Sequence, residues 1–145
     1  MSETQIQANI STSSEELAYL LLEEARLRCK SMIDDERDQL DDSDSLTLSG
    51  LYGDLGIAGY YASARVEPRR RRELLAQARA RSCTQSAEYG EPVDSVRALA
   101  EVTAAATRTV ERALTITGLL DHMHLAHIHV MSACETLDAM YALQT

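Results

Sequence analysis

The chain has 145 residues and a formal net charge of −9 at pH 7. This length predicts one domain with its own hydrophobic core, and the excess of acidic residues disfavours nucleic acid and anionic membranes as general partners. The hydrophobic content is 45%, but Phe and Trp are absent. The core must therefore be built from Leu, Ala, Val, Ile and Met, a composition that suits closely packed helices.

Cysteine usage and the N-terminal residues indicate the compartment. Cys29, Cys83 and Cys134 are far apart and form no CxxC pair, which disfavours both a disulfide framework and a zinc ribbon. The N-terminus has neither a basic nor an apolar signal region, and no run approaches 18 apolar residues. We therefore expect a cytoplasmic protein without a membrane span, with residues 1–12 as a flexible leader and residues 13–145 as a single helical-bundle domain.

Two amphipathic helices follow the leader. Ser13 and Glu16 fit a capping box, which predicts a helix from there to about Gln39. Asp44 or Ser45 is expected to cap the second helix. The apolar face of this second helix comprises Leu48, Leu51, Leu55, Ala58, Ala62 and Val66. Four glycines also recur through it, Gly50, Gly53, Gly56 and Gly59, and each costs about 1 kcal/mol relative to Ala inside a helix. They predict close contact with another helix, or an irregular helix.

Two blocks of like charge flank the second helix. Pro68 fits a first helical position and opens a shorter Arg-rich helix to about Ala80. The acidic block contains Asp34, Asp35, Asp38, Asp41 and Asp42, and the basic block contains Arg69, Arg70, Arg71 and Arg72. Acid at the end of one helix and base at the start of another both oppose the helix dipole. We therefore predict that the blocks pair, within one molecule or between two. The alternative is that the arginines form an RNA or phosphate site, although no aromatic residue is interleaved with them.

The remaining sequence predicts a loop over 82–91, an Ala-rich helix from about Val93, a break at 115–118 and a final helix over 119–143. The sequence as a whole therefore predicts an all-α fold, an antiparallel helical bundle of four long helices plus one short Arg-rich helix.

The final helix is apolar almost all round. Its core face is expected to comprise Ile116, Leu119, Leu120, Met123, Ala126, Val130, Met131, Cys134, Leu137 and Tyr141. Other apolar side chains lie off that face, which is typical of a helix that covers a second side with a partner. The predicted interface comprises Leu125, Ile128, His129, His122 and Leu143. The sequence thus favours a non-enzymatic interaction module that binds a protein partner or a second copy of itself, as a self-assembling subunit, an adaptor or a chaperone-like binder.

The histidines of the final helix leave one alternative open. His124, His127 and Met131 could hold a metal ion or a haem, because imidazole and thioether are suitable ligands. No other helix supplies a second histidine cluster, and the Glu-x-x-His pairs of di-iron bundles are missing. The sequence also lacks the common hydrolase, metalloprotease and phosphate-loop motifs. We therefore expect no enzymatic activity and no cofactor.

Overall fold

A computed structural model describes residues 13–35, 41–86, 92–117 and 122–144. Within these ranges the chain forms five α-helices and no strand, which confirms the predicted all-α fold. The helices are α1 (Ser14–Asp35), α2 (Asp42–Ser63), α3 (Pro68–Ser86), α4 (Pro92–Thr117) and α5 (His122–Gln144). The expected leader, residues 1–12, lies outside the described residues.

Four of these helices form the bundle. Around its core, α1 packs against α2, α2 against α5, α5 against α4, and α4 against α1. The thiol of Cys29 donates to the carbonyl oxygen of Leu48 at 3.6 Å, whereas Leu22, two turns earlier on α1, lies beside Gly59. This opposite order shows that α1 and α2 run antiparallel. Contacts of α5 with α2 and with α4 show the same relation.

The Arg-rich helix α3 lies outside the four-helix core and runs parallel to α1. Arg70, near the start of α3, pairs with Glu16, and Arg81, near its end, pairs with Glu24. With 19 residues it is the shortest of the five described helices. It ends at Ser86 rather than at Ala80, so the prediction of a loop from residue 82 was wrong for its first residues. The helix continues past Ala80 because Arg81 still contacts α1, where its Nε donates to Glu24.

The sequence predicted which side chains cap the starts of α1 and α2, and the structure confirms one of these two predictions. The capping box is confirmed, since the backbone N–H of Glu16 donates to Ser13 Oγ and that of Ser13 to Glu16 Oε1, each at 3.1 Å. Burial raises the pKa of Glu16, but hydrogen bonds from Ser13 and Arg70 outweigh it and hold that pKa below its usual value. The predicted cap of α2 was wrong: Asp41 caps the helix by accepting from the N–H of Asp44 at 2.7 Å.

The core agrees with the predicted periodicity: the five predicted apolar positions on α2, from Leu48 to Ala62, are buried, and so is Val66, which lies just after the end of the helix. On α5 the buried face is narrower than predicted. Its members are Met123, Ala126, Val130, Ala133 and Leu137. Met131, which was predicted to be part of the core, is 38% exposed, because it follows Val130 by 100° around the helix.

A carboxylate is buried between α1 and α3. Glu24 has 0% side-chain exposure and accepts hydrogen bonds from Arg28 Nε at 3.0 Å and from Arg81 Nε. Arg28 is itself 4% exposed. Two arginines from different helices thus neutralise one buried acid, which makes this cluster sensitive to the loss of any member.

Cys29 is expected to resist alkylation in the folded protein. Burial raises the pKa of its thiol from 9.0 to about 12, so at pH 8 almost none is thiolate, the reactive form. Iodoacetamide labelling read by peptide mass spectrometry should modify Cys29 in urea but not in buffer. Because the folded pKa exceeds the unfolded one, this thiol should also lower the free energy of unfolding as pH rises from 9.0 to about 12. Equal labelling in buffer and in urea would contradict the assigned burial.

Candidate interaction surface

The outer face of α5 carries a ridge of exposed apolar side chains. Ile128 is 61% exposed, Leu125 is 40% exposed and Met131 is 38% exposed. Their spacing of three residues places them in one row along the helix. Leu125 and Ile128 therefore lie outside the core, as the sequence pattern predicted. Their role in an interface stays a prediction.

His129 and His122 border this ridge and contact α2. The Nδ1 atom of His129 lies 3.2 Å from Asp54 Oδ1, and its ring stacks on Tyr61 with centroids 6.1 Å apart. The ring of His122, which is exposed, lies 6.0 Å from that of Tyr61. Both histidines thus join α5 to α2 at the edge of the predicted interface. The side chain of Leu143, also predicted for the interface, lies outside the described residues.

Asp54 contacts both His129 and Ser132, but the three do not form a nucleophile system. Ser132 Oγ donates to Asp54 Oδ2 at 2.9 Å, and His129 contacts the other carboxylate oxygen. In a serine nucleophile system the imidazole stands between the hydroxyl and the carboxylate, so that it can take the hydroxyl proton. Here the carboxylate stands between the other two groups. The arrangement positions α5 against α2.

The neighbouring helix α2 contributes further exposed apolar residues, which sequence reasoning missed. Leu46 is 76% exposed, Tyr60 is 73% exposed and Ile57 is 42% exposed. Ile57 lies between Asp54 and Tyr61 on α2, and both of these residues contact α5. Ile57 therefore lies at about the same height along the bundle axis as Leu125 and Ile128. Five exposed residues of the two helices form what we call the α2–α5 face: Leu46, Ile57, Tyr60, Leu125 and Ile128. The signal that could have found its α2 part is the spacing of four, three, four and three that links positions 46, 50, 53, 57 and 60.

The four glycines of α2 divide between two sides of the helix. A Cβ on Gly59 would lie 2.8 Å from Glu23 Oε1, and one on Gly56 would lie 3.7 Å from the side chain of Arg26. These two glycines face α1, as the prediction of close helix contact requires. A Cβ on Gly50 or Gly53 would meet no atom of the described part of the chain within 4 Å. Those two glycines belong to the row of positions 46, 50, 53, 57 and 60 on the side of α2 that carries Leu46 and Ile57.

The residues of the metal alternative share one side of α5. His127 Nε2 lies 3.5 Å from Glu111 Oε2 of α4, without hydrogen-bond geometry. Among the described residues, no group of three or more His, Cys, Asp or Glu side chains is placed to hold a metal ion. His124, His127 and Met131 therefore stay a predicted site that this geometry does not favour.

The two charge blocks lie at opposite ends of the bundle. Asp34 pairs with Lys30 and Asp41 caps α2, both at the end where α1 meets α2. Arg70 pairs with Glu16 at the start of α1, and Arg71 donates to the carbonyl oxygen of Val66. The fold therefore does not bring the blocks together within one molecule. Pairing between two molecules stays a prediction.

The other members of the two blocks differ in what the structure describes of them. The exposed ones are Asp35, Asp42, Arg69 and Arg72, and Asp38 lies outside the described residues.

Fold and surface together define a four-helix bundle with one external helix and an apolar face on α2 and α5. No described helix is long and apolar enough to cross a membrane. Comparison with protein-family models, with curated proteins and with solved structures gave no match.

Proposed function

We propose that this protein is a non-enzymatic protein–protein interaction module, a self-assembling subunit, adaptor or chaperone-like binder, that holds another chain against its α2–α5 face. The observation that supports the proposal most directly is the exposure of Ile128, 61%, in the middle of a helix whose opposite side is core. Contiguous exposed apolar side chains are typical of surfaces that bind other proteins.

A partner that covers the α2–α5 face would remove exposed apolar side chains from water. Fully burying an Ile or Leu side chain contributes about 1.5–3 kcal/mol. Ile128 and Leu125 on α5 together with Ile57 on α2 could therefore supply several kcal/mol before the costs of association are subtracted. Tyr60 adds an aromatic side chain that is 73% exposed, and tyrosine is enriched among residues that dominate binding energies.

The chemistry of the surface supports binding rather than catalysis. The Asp54 carboxylate lies between His129 and Ser132, so the imidazole is not placed to take the serine hydroxyl proton. Burial also raises the pKa of the Cys134 thiol, despite an opposing hydrogen bond with Thr107 at 3.1 Å. A thiol with a raised pKa is a poor nucleophile at neutral pH.

The double variant Leu125→Glu with Ile128→Glu is expected to lose association and keep its helix content. Two carboxylates on an exposed ridge cost the monomer little, but burying them in an interface costs several kcal/mol. Photo-crosslinking measures this: a photoreactive residue replaces Tyr60 in full-length chains in living cells, and adducts are compared with and without the double variant. Circular dichroism reports helix content.

A matched control introduces the same charge elsewhere. Ala76→Glu with Ala80→Glu places two carboxylates on exposed positions of α3 and should leave the adducts unchanged. If the double variant and this control give the same adduct yield as the parent, the α2–α5 face is not an interaction surface. Unfolding of the double variant would instead show that both residues are buried in the folded chain, against the structure.

A further inference from the structure

We propose that the occupant of the α2–α5 face is a second copy of this chain, related to the first by a two-fold axis that crosses α2 between Gly50 and Gly53. This inference rests on the proposed function, because it names the partner for the same face. Three features of the face identify the occupant: the symmetry of its exposed row, the open space at two glycines, and the opposite charges at its two ends.

The exposed row is self-complementary. Leu46, Gly50, Gly53 and Ile57 lie along one side of α2, and the row reads large, small, small, large in either direction. When two copies of α2 pack antiparallel about the centre of the row, Leu46 meets Ile57 of the partner subunit and Gly50 meets Gly53 of the partner subunit. A two-fold interface requires such pairing of a surface with itself.

Among the described residues, nothing packs against the open side of these two glycines. Each costs about 1 kcal/mol of helix stability relative to Ala, and a Cβ at either position would meet no described atom within 4 Å. Gly59, by contrast, allows the close approach of Glu23 on α1. A second α2 helix crossing at Gly50 and Gly53 would use the missing side chains in the same way, because small residues let two helix backbones approach closely.

Charge selects a second copy, and in the antiparallel orientation. Asp41, Asp42 and Asp44 are exposed at the start of α2, whereas Arg69 and Arg72 are exposed at the start of α3, just past the other end of α2. An antiparallel pair brings the acidic end of each copy to the basic end of the other, at both ends of the interface. Such complementarity sets register and offsets the repulsion expected from a net charge of −9.

The available area is sufficient for a stable dimer. A helix of 22 residues is about 33 Å long, and two adjacent helices, each about 10 Å across, present roughly 650 Å² per copy. The total of roughly 1,300 Å² falls within the range of about 1,200–2,000 Å² seen for specific interfaces.

Sedimentation equilibrium of the full-length chain tests the proposal. We expect the parent to be a dimer at micromolar concentration. Gly53→Gln fills the crossing point with a helix-forming side chain, and Ile57→Glu places a charge in the interface. Each should raise the dissociation constant at least tenfold and leave the helix content unchanged, whereas Ala76→Glu with Ala80→Glu on α3 should not. A parent that is monomeric at about 100 µM, roughly a hundredfold above a micromolar dissociation constant, would overturn the proposal. Parent-like dimers of both face variants would overturn it as well.

Charge exchange tests the orientation. Asp42→Lys with Asp44→Lys, and Arg69→Glu with Arg72→Glu, should each weaken self-association, because like charges then meet at both ends of the pair. Mixing the two variants should restore a dimer that contains one of each, visible by native mass spectrometry. If both variants self-associate as tightly as the parent, the antiparallel arrangement is wrong.

The outcomes separate this inference from the proposed function. Crosslinks from Tyr60 to a different protein, combined with a monomeric parent, would overturn the second copy as occupant and leave the interaction module standing. Crosslinks insensitive to Leu125→Glu with Ile128→Glu, combined with a monomeric parent, would overturn both. A dimer disrupted by Gly53→Gln and Ile57→Glu supports both.

Discussion

Glu24→Ala is expected to lower the free energy of unfolding by about 3–5 kcal/mol, the usual cost of removing one partner from a buried ion pair. Glu24 has 0% side-chain exposure, and Arg28, which donates to it at 3.0 Å, is 4% exposed. Without the carboxylate, the Arg28 charge keeps the cost of its burial and loses the counter-charge of Glu24. Urea denaturation followed by circular dichroism measures the change.

Two further variants show whether the loss of stability comes from breaking a buried ion pair or from losing a charged residue in general. Glu24→Leu combined with Arg28→Met should recover most of the stability, because replacing both charges by apolar groups is often neutral. Lys30→Ala removes one side of the exposed pair Lys30–Asp34, whose side chains are 55% and 43% exposed, and should cost no more than about 1 kcal/mol. If Glu24→Ala costs as little as Lys30→Ala, Glu24 is not buried as described.

Leu55→Ala is expected to cost about 2–5 kcal/mol, because it removes a fully buried side chain from the core side of α2 and leaves a cavity. Leu55 is 0% exposed and belongs to the cluster that also contains Leu51, Leu99 and Leu137. The core holds no Phe or Trp, so large side chains that could move into the space are few. Urea denaturation again provides the measurement.

The same chemical change on the opposite side of α2 is the matched control. Leu46 is 76% exposed, so Leu46→Ala should change the free energy of unfolding by less than about 0.5 kcal/mol. Both variants are compared at high dilution, where association contributes nothing. Similar costs for the two substitutions would mean that the sides of α2 are wrongly assigned.

The helices could be predicted from the sequence because their signals are local. The capping box of Ser13 and Glu16 marks the start of α1, and the apolar row from Leu48 to Ala62 marks the buried side of α2. The end of α3 could not be predicted, because it depends on contacts of Arg81 with another helix. Asp41 was missed as the cap of α2 because five acidic or hydroxyl residues in a row, 41–45, are all competent caps.

The candidate surface could be predicted only in part. Leu125 and Ile128 stand out because they lie off the apolar side of a single helix. The contribution of Leu46, Ile57 and Tyr60 depends on which helix lies beside α5, and periodicity within one helix carries no such information. Whether the charge blocks meet within one molecule could not be predicted for the same reason. Chain direction decides which helix ends meet, and α1 and α3 run parallel.

The position of α3 has a consequence for the order in which parts of the protein open. It packs on α1 from outside, through Leu74 and Ala78, and it closes over Glu24 with Arg81. Detaching α3 would hydrate Glu24 and leave the contacts among α1, α2, α4 and α5 in place. Its backbone amides should therefore exchange with solvent through a local opening that costs less than global unfolding. We therefore expect Glu24 to reach water when α3 opens, before the four-helix bundle unfolds.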